Sequence, residues 1–155
     1  MTMDEAAPKE CFVCAKHQGT TLMPGGPVWV DELVVVSHLS PRAPGAPGEV
    51  YLGHLFVEPR RHAPGLPDLA DAEAQSVGRW CARAARALRQ VAGAEHVYAA
   101  VIGDSVPHLH VHLLPRYPGT PREYWWDRVD EWPGAPRGGE AEAASLVEQL
   151  RASAH

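Results

Sequence analysis

Residues His108-Leu109-His110-Val111-His112-Leu113-Leu114 alternate imidazole with aliphatic side chains in a period of two. A β-strand has that period, so a strand over Val106 to Leu114 is predicted to point all three imidazoles to one face and Leu109, Val111 and Leu113 into a core. One histidine on an apolar strand is commonly a satisfied core residue. Three on one face would each need a buried partner, so a row of this kind points to chemistry. Imidazole titrates near neutral pH, acts as nucleophile or acid/base, and ligates metals.

Elements are read outward from the row. Val28 to Val30 and Leu33 to Val36 form two strands around a turn at Asp31-Glu32. Ser40 to Gly48 is an exposed Pro/Gly/Ala loop. Val50 to Val57 is read as one strand and Val97 to Ile102 as another. Between them Asp71 to Val91 is a long amphipathic helix, with Asp71 as N-cap and Val77, Trp80, Cys81, Ala84, Leu88 and Val91 as its buried stripe. Arg79, Arg83, Arg86 and Arg89 then face solvent. A shorter helix, Glu140 to Ala152, carries Leu146, Val147 and Leu150. The order predicts an α+β layer, an antiparallel sheet with one long helix over one face.

Composition excludes several classes. A chain of 155 residues is read as one domain with a core of its own. A net charge of −5 argues against wholesale binding of nucleic acid. No apolar run approaches a membrane span, and Met1 to Glu10 is polar and acidic, unlike a signal peptide. Three cysteines, two of them in Cys11-Phe12-Val13-Cys14, fit a reducing compartment and a metal better than a disulfide framework. The cytoplasm is the expected location. A tetrahedral zinc site takes four protein ligands. Cys11 and Cys14 offer two from one tight loop, and His17 is a third donor close by. His96, His17 and His155 are otherwise read as surface residues.

The histidine run resembles the signature of the histidine-triad (HIT) family of nucleotidyl hydrolases and transferases. Three further stretches agree in order. Gly53-His54-Leu55-Phe56-Val57-Glu58-Pro59-Arg60-Arg61-His62 is similar to the family's strand from Gly-His to Pro-x-x-His, Gly103-Asp104-Ser105-Val106-Pro107 to its Gly-x-Ser lead-in, and Cys11 to Cys14 to the CxxC of zinc-bearing members. The resemblance covers roughly residues 11 to 117, leaving about 118 to 155 as a C-terminal extension.

This resemblance implies a HIT-like antiparallel sheet of about five strands with one long helix and a tail helix, and a homodimer. It implies structural Zn2+ on Cys11, Cys14, His62 and His108, which leaves His110 and His112 free for chemistry. It further implies cleavage of a nucleotide conjugate at the α-phosphate. His110 is the nucleophile, forming a covalent nucleotidyl-histidine, and His112, His54 and Ser105 support the phosphate. A protonated His54 would give a charge-assisted hydrogen bond. Candidate substrates are dinucleoside polyphosphates, nucleoside phosphoramidates and nucleotide sugars. Gly103, Asp104 and Arg116 are expected beside the substrate. His38 stands where relatives carry a ribose-binding Asp, and Asp104 where they often carry Gln. Tyr124, Trp125, Trp126 and Trp132 either stack on a base or pack against the sheet, and Arg122 is a second candidate for phosphate contact. The alternatives are a direct metallohydrolase with Asp104 as base, and a zinc-stabilised nucleotide-binding module without turnover.

Overall fold

The computed structural model describes residues 11–19, 23–46 and 48–153; the readings for Met1 to Glu10 and His155 lie outside them. In chain order the elements are α1 (Phe12–His17), β1 (Trp29–Val30), β2 (Val34–His38), β3 (Val50–Tyr51), β4 (Leu55–Pro59), α2 (Asp71–Ala92), β5 (His96–Val101), β6 (Val111–Arg116), β7 (Arg137–Gly138) and α3 (Glu140–Ala152). Five strands form one antiparallel sheet in the order β1-β2-β4-β6-β5, and β3 pairs with β7 in a small separate ladder. The expected α+β layer and the five-stranded sheet are therefore both present.

Alternation divides the sheet into two faces. Val34, Val36, Leu55, Val57, Val111 and Leu113 point to one side, where they meet Val77, Trp80, Ala84 and Leu88 of α2 and Val147 and Leu150 of α3. Burying each of these aliphatic side chains contributes about 1.5–3 kcal/mol, so this layer is the main source of stability. The opposite face carries Ser37, Phe56 and His112 side by side in the strand register. One face is packed, and the other is left for a site.

Four local readings need correction. The histidine row does not lie within one strand: β6 begins at Val111, and His108 and His110 precede it. The backbone there bonds elsewhere, with Leu109 N–H donating to Ala63 O at 2.7 Å. Pro107, lacking an N–H, cannot extend the ladder. Leu109, Val111 and Leu113 are nevertheless buried as the alternation requires. Second, Val50 to Val57 is not one strand, because Gly53 turns the chain at φ +89° between β3 and β4. A Cβ there would lie 2.7 Å from Pro115 Cγ, so both conformation and space call for glycine. Third, the cap of α2 is Ala70, and Asp71 is its first helical residue. Glu73 does the capping, accepting from Ala70 N–H at 2.9 Å while bonded to Arg61. Fourth, Cys11 and Cys14 do not sit on a plain loop: Cys11 caps α1, its sulfur accepting from Cys14 N–H at 3.4 Å.

The turn residue Asp31 ties the β1–β2 hairpin to α2. One carboxylate oxygen accepts from Leu33 and Val34 N–H, both at 2.7 Å, and the other from Ser76 Oγ at 2.8 Å and Trp80 Nε1 at 2.6 Å. Burial alone would raise its pKa, but these donors outweigh burial and hold it at about 2. The folded value lies below the ordinary 3.8, so this contribution is complete above about pH 4 and disappears as pH falls towards 2. We predict that Asp31→Ala costs roughly 2–3 kcal/mol at pH 7. The difference from wild type should vanish near pH 2. Urea melts at both pH values check this, and equal losses at the two would reject the assignment.

Candidate functional site

Among the described residues, two clusters carry the candidate chemistry. The first joins Cys11, Cys14, His62 and His108, whose donor atoms all lie within 4.8 Å of one another. Cys11 Sγ is 3.5 Å and Cys14 Sγ 3.4 Å from His108 Nδ1, and Cys14 Sγ is 3.4 Å from His62 Nδ1. Zinc at ordinary Zn–S and Zn–N distances separates sulfur and nitrogen ligands by about 3.6 Å, so the donor set fits a tetrahedral ion. The tautomer fits too. His108 Nε2 donates to Pro59 O at 2.8 Å, which leaves the Nδ1 lone pair turned to the cluster. His108 is fully buried, and burial pushes its pKa down to about 4, keeping that lone pair free of a proton. Burial and neighbouring Cys11 push the Cys14 thiol up to about 12, so a thiolate here calls for a cation. These four residues can hold a metal ion.

Beyond α1 lies a cavity of about 420 Å³, within the size range of small-molecule sites. Phe12, Val13, Leu39, Phe56 and Val106 make its apolar wall; His110, His112 and Ser105 bring polar atoms to it, as do Lys16 and Glu58. His110 Nδ1 donates to the carbonyl of His108 at 2.7 Å. Its Nε2 is therefore the unprotonated nitrogen of the neutral ring, an available lone pair. The His110 and His112 rings lie 4.9 Å apart. His112 Nδ1 is 3.0 Å from His54 Nε2, so these two share a hydrogen. Burial, together with the neighbouring imidazoles, pushes His54 down to about 3 and His112 to about 4. The resting His54 is thus neutral, in place of the imidazolium expected from sequence.

The remaining expected site residues divide. His38 lines the cavity, but both its nitrogens are engaged: Nδ1 donates to Leu39 O at 2.8 Å and Nε2 accepts from Gly53 N–H at 2.9 Å. Burial lowers its pKa in keeping with that neutral tautomer. It fixes the turn before β4 and has no nitrogen left for a ribose. Gly103 and Asp104 are exposed and do not line the cavity. Arg116 is also absent from it. It lies four residues beyond His112, about 13 Å along the strand. There it is stacked 3.6 Å from the Trp125 ring and donates to Tyr98 Oη at 2.7 Å. The aromatic tail thus packs against the sheet: Trp126 meets Tyr98, and Trp132 packs with Tyr51, Leu114 and Val129. Arg122 joins that tail, 5.0 Å from the Trp125 ring, and does not reach the cavity.

The roles of three residues escaped the sequence reading. His17, read as a surface residue or a rival third zinc donor, lies outside the cysteine cluster and is largely buried, with Nε2 donating to Glu58 Oε1 at 3.1 Å. Lys16 Nζ donates to Glu58 Oε2 at 2.9 Å, and both side chains are buried. Burial would raise the Glu58 pKa, but the Lys16 charge and His17 hold it down to about 2. A glutamate in the apolar run Leu55–Pro59 and a lysine inside CxxC-x-Lys were the only signals available.

Comparison with known proteins places this geometry. The HIT domain family model matches residues 30–119. Bis(5'-adenosyl)-triphosphatase of Saccharomyces cerevisiae is 30% identical over 89 residues, 53% of this chain and 43% of that protein. The nitrilase and fragile histidine triad fusion protein NitFhit of Caenorhabditis elegans is 33% identical over 72 residues, 43% of this chain and 16% of that one. The chain thus spans less than half the length of these curated relatives. Among solved structures, a Zn-bound histidine triad family protein from Mycobacterium smegmatis superposes with a TM-score of 0.68 at 21% identity, covering 92% of this chain and 94% of that one. A hypothetical histidine triad nucleotide-binding protein from Sulfolobus tokodaii gives 0.68 at 18% identity, covering 91% and 89%. No described helix is long and apolar enough to cross a membrane.

Proposed function

Because this chain belongs to the HIT domain family, we propose that it hydrolyses or transfers nucleotidyl groups, cleaving nucleotide conjugates at the α-phosphate through a nucleotidyl-His110 intermediate. The observation that carries this reading is the His110 tautomer: Nδ1 donates to His108 O, which puts the neutral ring's lone pair on Nε2, and His110 lines the cavity. In the first step this lone pair forms a nitrogen–phosphorus bond while the bond from phosphorus to the leaving group breaks, and the leaving group takes its proton from solvent. Water, or another hydroxyl acceptor, then attacks phosphorus, gives up its proton to solvent, and the nitrogen–phosphorus bond breaks to release His110. His54 donates to His112 Nδ1, so that His112 presents Nε2–H to a phosphate oxygen where charge develops. Ser105 reaches the same oxygens or the leaving group from the cavity rim.

A zinc ion on Cys11, Cys14, His62 and His108 fits a structural role, since four protein ligands close the site. It would bind α1 to the entry of β6 and thereby hold the cavity wall formed by Phe12 and Val13. The direct metallohydrolase reading is disfavoured, because it needs an open coordination position and Asp104 is exposed away from the cavity. Intact-protein mass spectrometry after brief incubation with nucleoside phosphoramidates and dinucleoside polyphosphates tests the covalent step. A mildly alkaline quench preserves nitrogen–phosphorus bonds. A nucleotidyl adduct should appear in wild type and be absent from His110→Ala. Consumption of substrate without any adduct at millisecond quench times would count against the intermediate, and binding without consumption would leave a nucleotide-binding module.

A homodimer with continuous sheets is part of the same proposal. β5 is an edge strand of the sheet, and Val101 and Ile102 at its end are exposed. Sedimentation should give twice the chain mass at micromolar concentration; a monomer there would refute the assembly.

A further inference from the structure

The buried ion pair in the cavity wall has no part in the phosphorus chemistry. Lys16 is 3% exposed and Glu58 1%, yet both line the cavity that His110 and His112 face. Phe56 neighbours both groups: its ring centroid is 5.0 Å from Lys16 Nζ and 5.8 Å from the His110 ring. A nucleotide with its α-phosphate at His110 and its base inside the same cavity would meet the wall that carries this ammonium. The rest of that wall is apolar, with Phe12 and Val13 from α1, which suits a flat aromatic ring.

Hydrogen-bond capacity decides which ring. An ammonium has three donors. Among the described residues Lys16 makes one hydrogen bond, to Glu58 Oε2, and its ammonium also lies over the Phe56 and Phe12 rings at 5.0 and 5.9 Å. The Glu58 carboxylate accepts from Lys16, His17 and Ser37 and is nearly saturated. The paired charges cancel, so the wall attracts a polar neutral group more than a further phosphate. What it offers a ligand is an ammonium held at the cavity wall whose N–H groups not bonded to Glu58 can turn from the aromatic faces to a stronger acceptor. Guanine presents two adjacent acceptors, O6 and N7, to such a group, whereas adenine sets its N6 amino donors beside N7.

On the proposed nucleotidyl chemistry, we propose that Lys16, held by Glu58, selects a guanine base by donating to O6 and N7. A lysine bidentate to that edge discriminates by roughly 10- to 100-fold against the wrong base. Guanosine and inosine phosphoramidates, which share O6 and N7, should then exceed the adenosine compound by about that factor in kcat/KM. 7-Deazaguanosine phosphoramidate should fall between them.

Lys16→Met alone leaves a buried, uncompensated carboxylate and can fail to fold. The double variant Lys16→Met/Glu58→Gln removes both charges at similar volume, keeps an amide oxygen to accept from His17 and Ser37, and serves as the folded comparison. It should lose the guanine preference, bringing the guanosine and adenosine values of kcat/KM within a few-fold of each other. Dissociation constants for GMP and AMP, measured by calorimetry on the same proteins, separate this inference from the catalytic one. A GMP preference without turnover supports base selection and sinks the hydrolase reading. Turnover with equal or better use of adenosine overturns base selection alone. A guanine preference that survives in the double variant overturns it as well.

Discussion

His110→Ala is expected to lower kcat by roughly four to six orders of magnitude, with the substrate's dissociation constant nearly unchanged, as for loss of a covalent nucleophile. No neighbour can take over. His112 has Nδ1 committed to His54 at 3.0 Å, and in the proposed tautomer its Nε2 carries hydrogen. His108 is turned into the cysteine cluster, with Nε2 bonded to Pro59 O. His112→Ala should cost less, roughly 10²–10³-fold, because it removes a donor to the phosphate and spares the nucleophile. Single-turnover kinetics with a nucleoside phosphoramidate read both. Equal losses in the two variants would put the nucleophile elsewhere, and a loss below tenfold in His110→Ala would end the covalent proposal.

Removal of the metal is the second large effect. Stripping it, or replacing Cys14 with serine, is expected to destabilise the protein by roughly 3–5 kcal/mol, less than the full affinity of structural zinc because α1 is the part released and the main core remains. In a domain of this size that lowers Tm by about 10 °C or more. Activity should fall with it, since α1 carries Phe12 and Val13 of the cavity wall as well as both cysteines. Metal analysis of the purified protein should find one zinc per chain, and zinc should restore Tm and turnover together. If the chelator removes activity at an unchanged Tm and zinc alone restores it, the ion is catalytic. A Tm indifferent to both chelation and Cys14→Ser would mean that the cluster holds no structural ion.

The contrast between these two effects follows from chain position. The triad histidines alternate with Leu109 and Val111 in one short run, yet their backbone divides them. His108 precedes β6 and faces the cysteines, while His110 and His112 face the cavity. The alternation correctly placed Leu109, Val111 and Leu113 in the core, because inside-outside patterning survives wherever the backbone stays extended, even outside a hydrogen-bonded ladder.

What the sequence determined by itself is what depends on local spacing. The period of the triad, the 3.6-residue stripe of α2, the bounds of α3 and the cysteine pair are each encoded within a few neighbouring residues, and all four emerge in the structure. What only the tertiary structure decided is partnership between distant groups. Glu58 meets Lys16 across 42 residues, Asp31 meets Trp80 across 49, and His38 is consumed by a backbone amide 15 residues away. Arg116, four residues beyond the triad, is drawn under Trp125 and lost to the site. A side chain's type fixes how many hydrogen bonds and charges it can offer. Which of them remain free for a ligand depends on what the fold brings within 3 Å, and no local pattern records that.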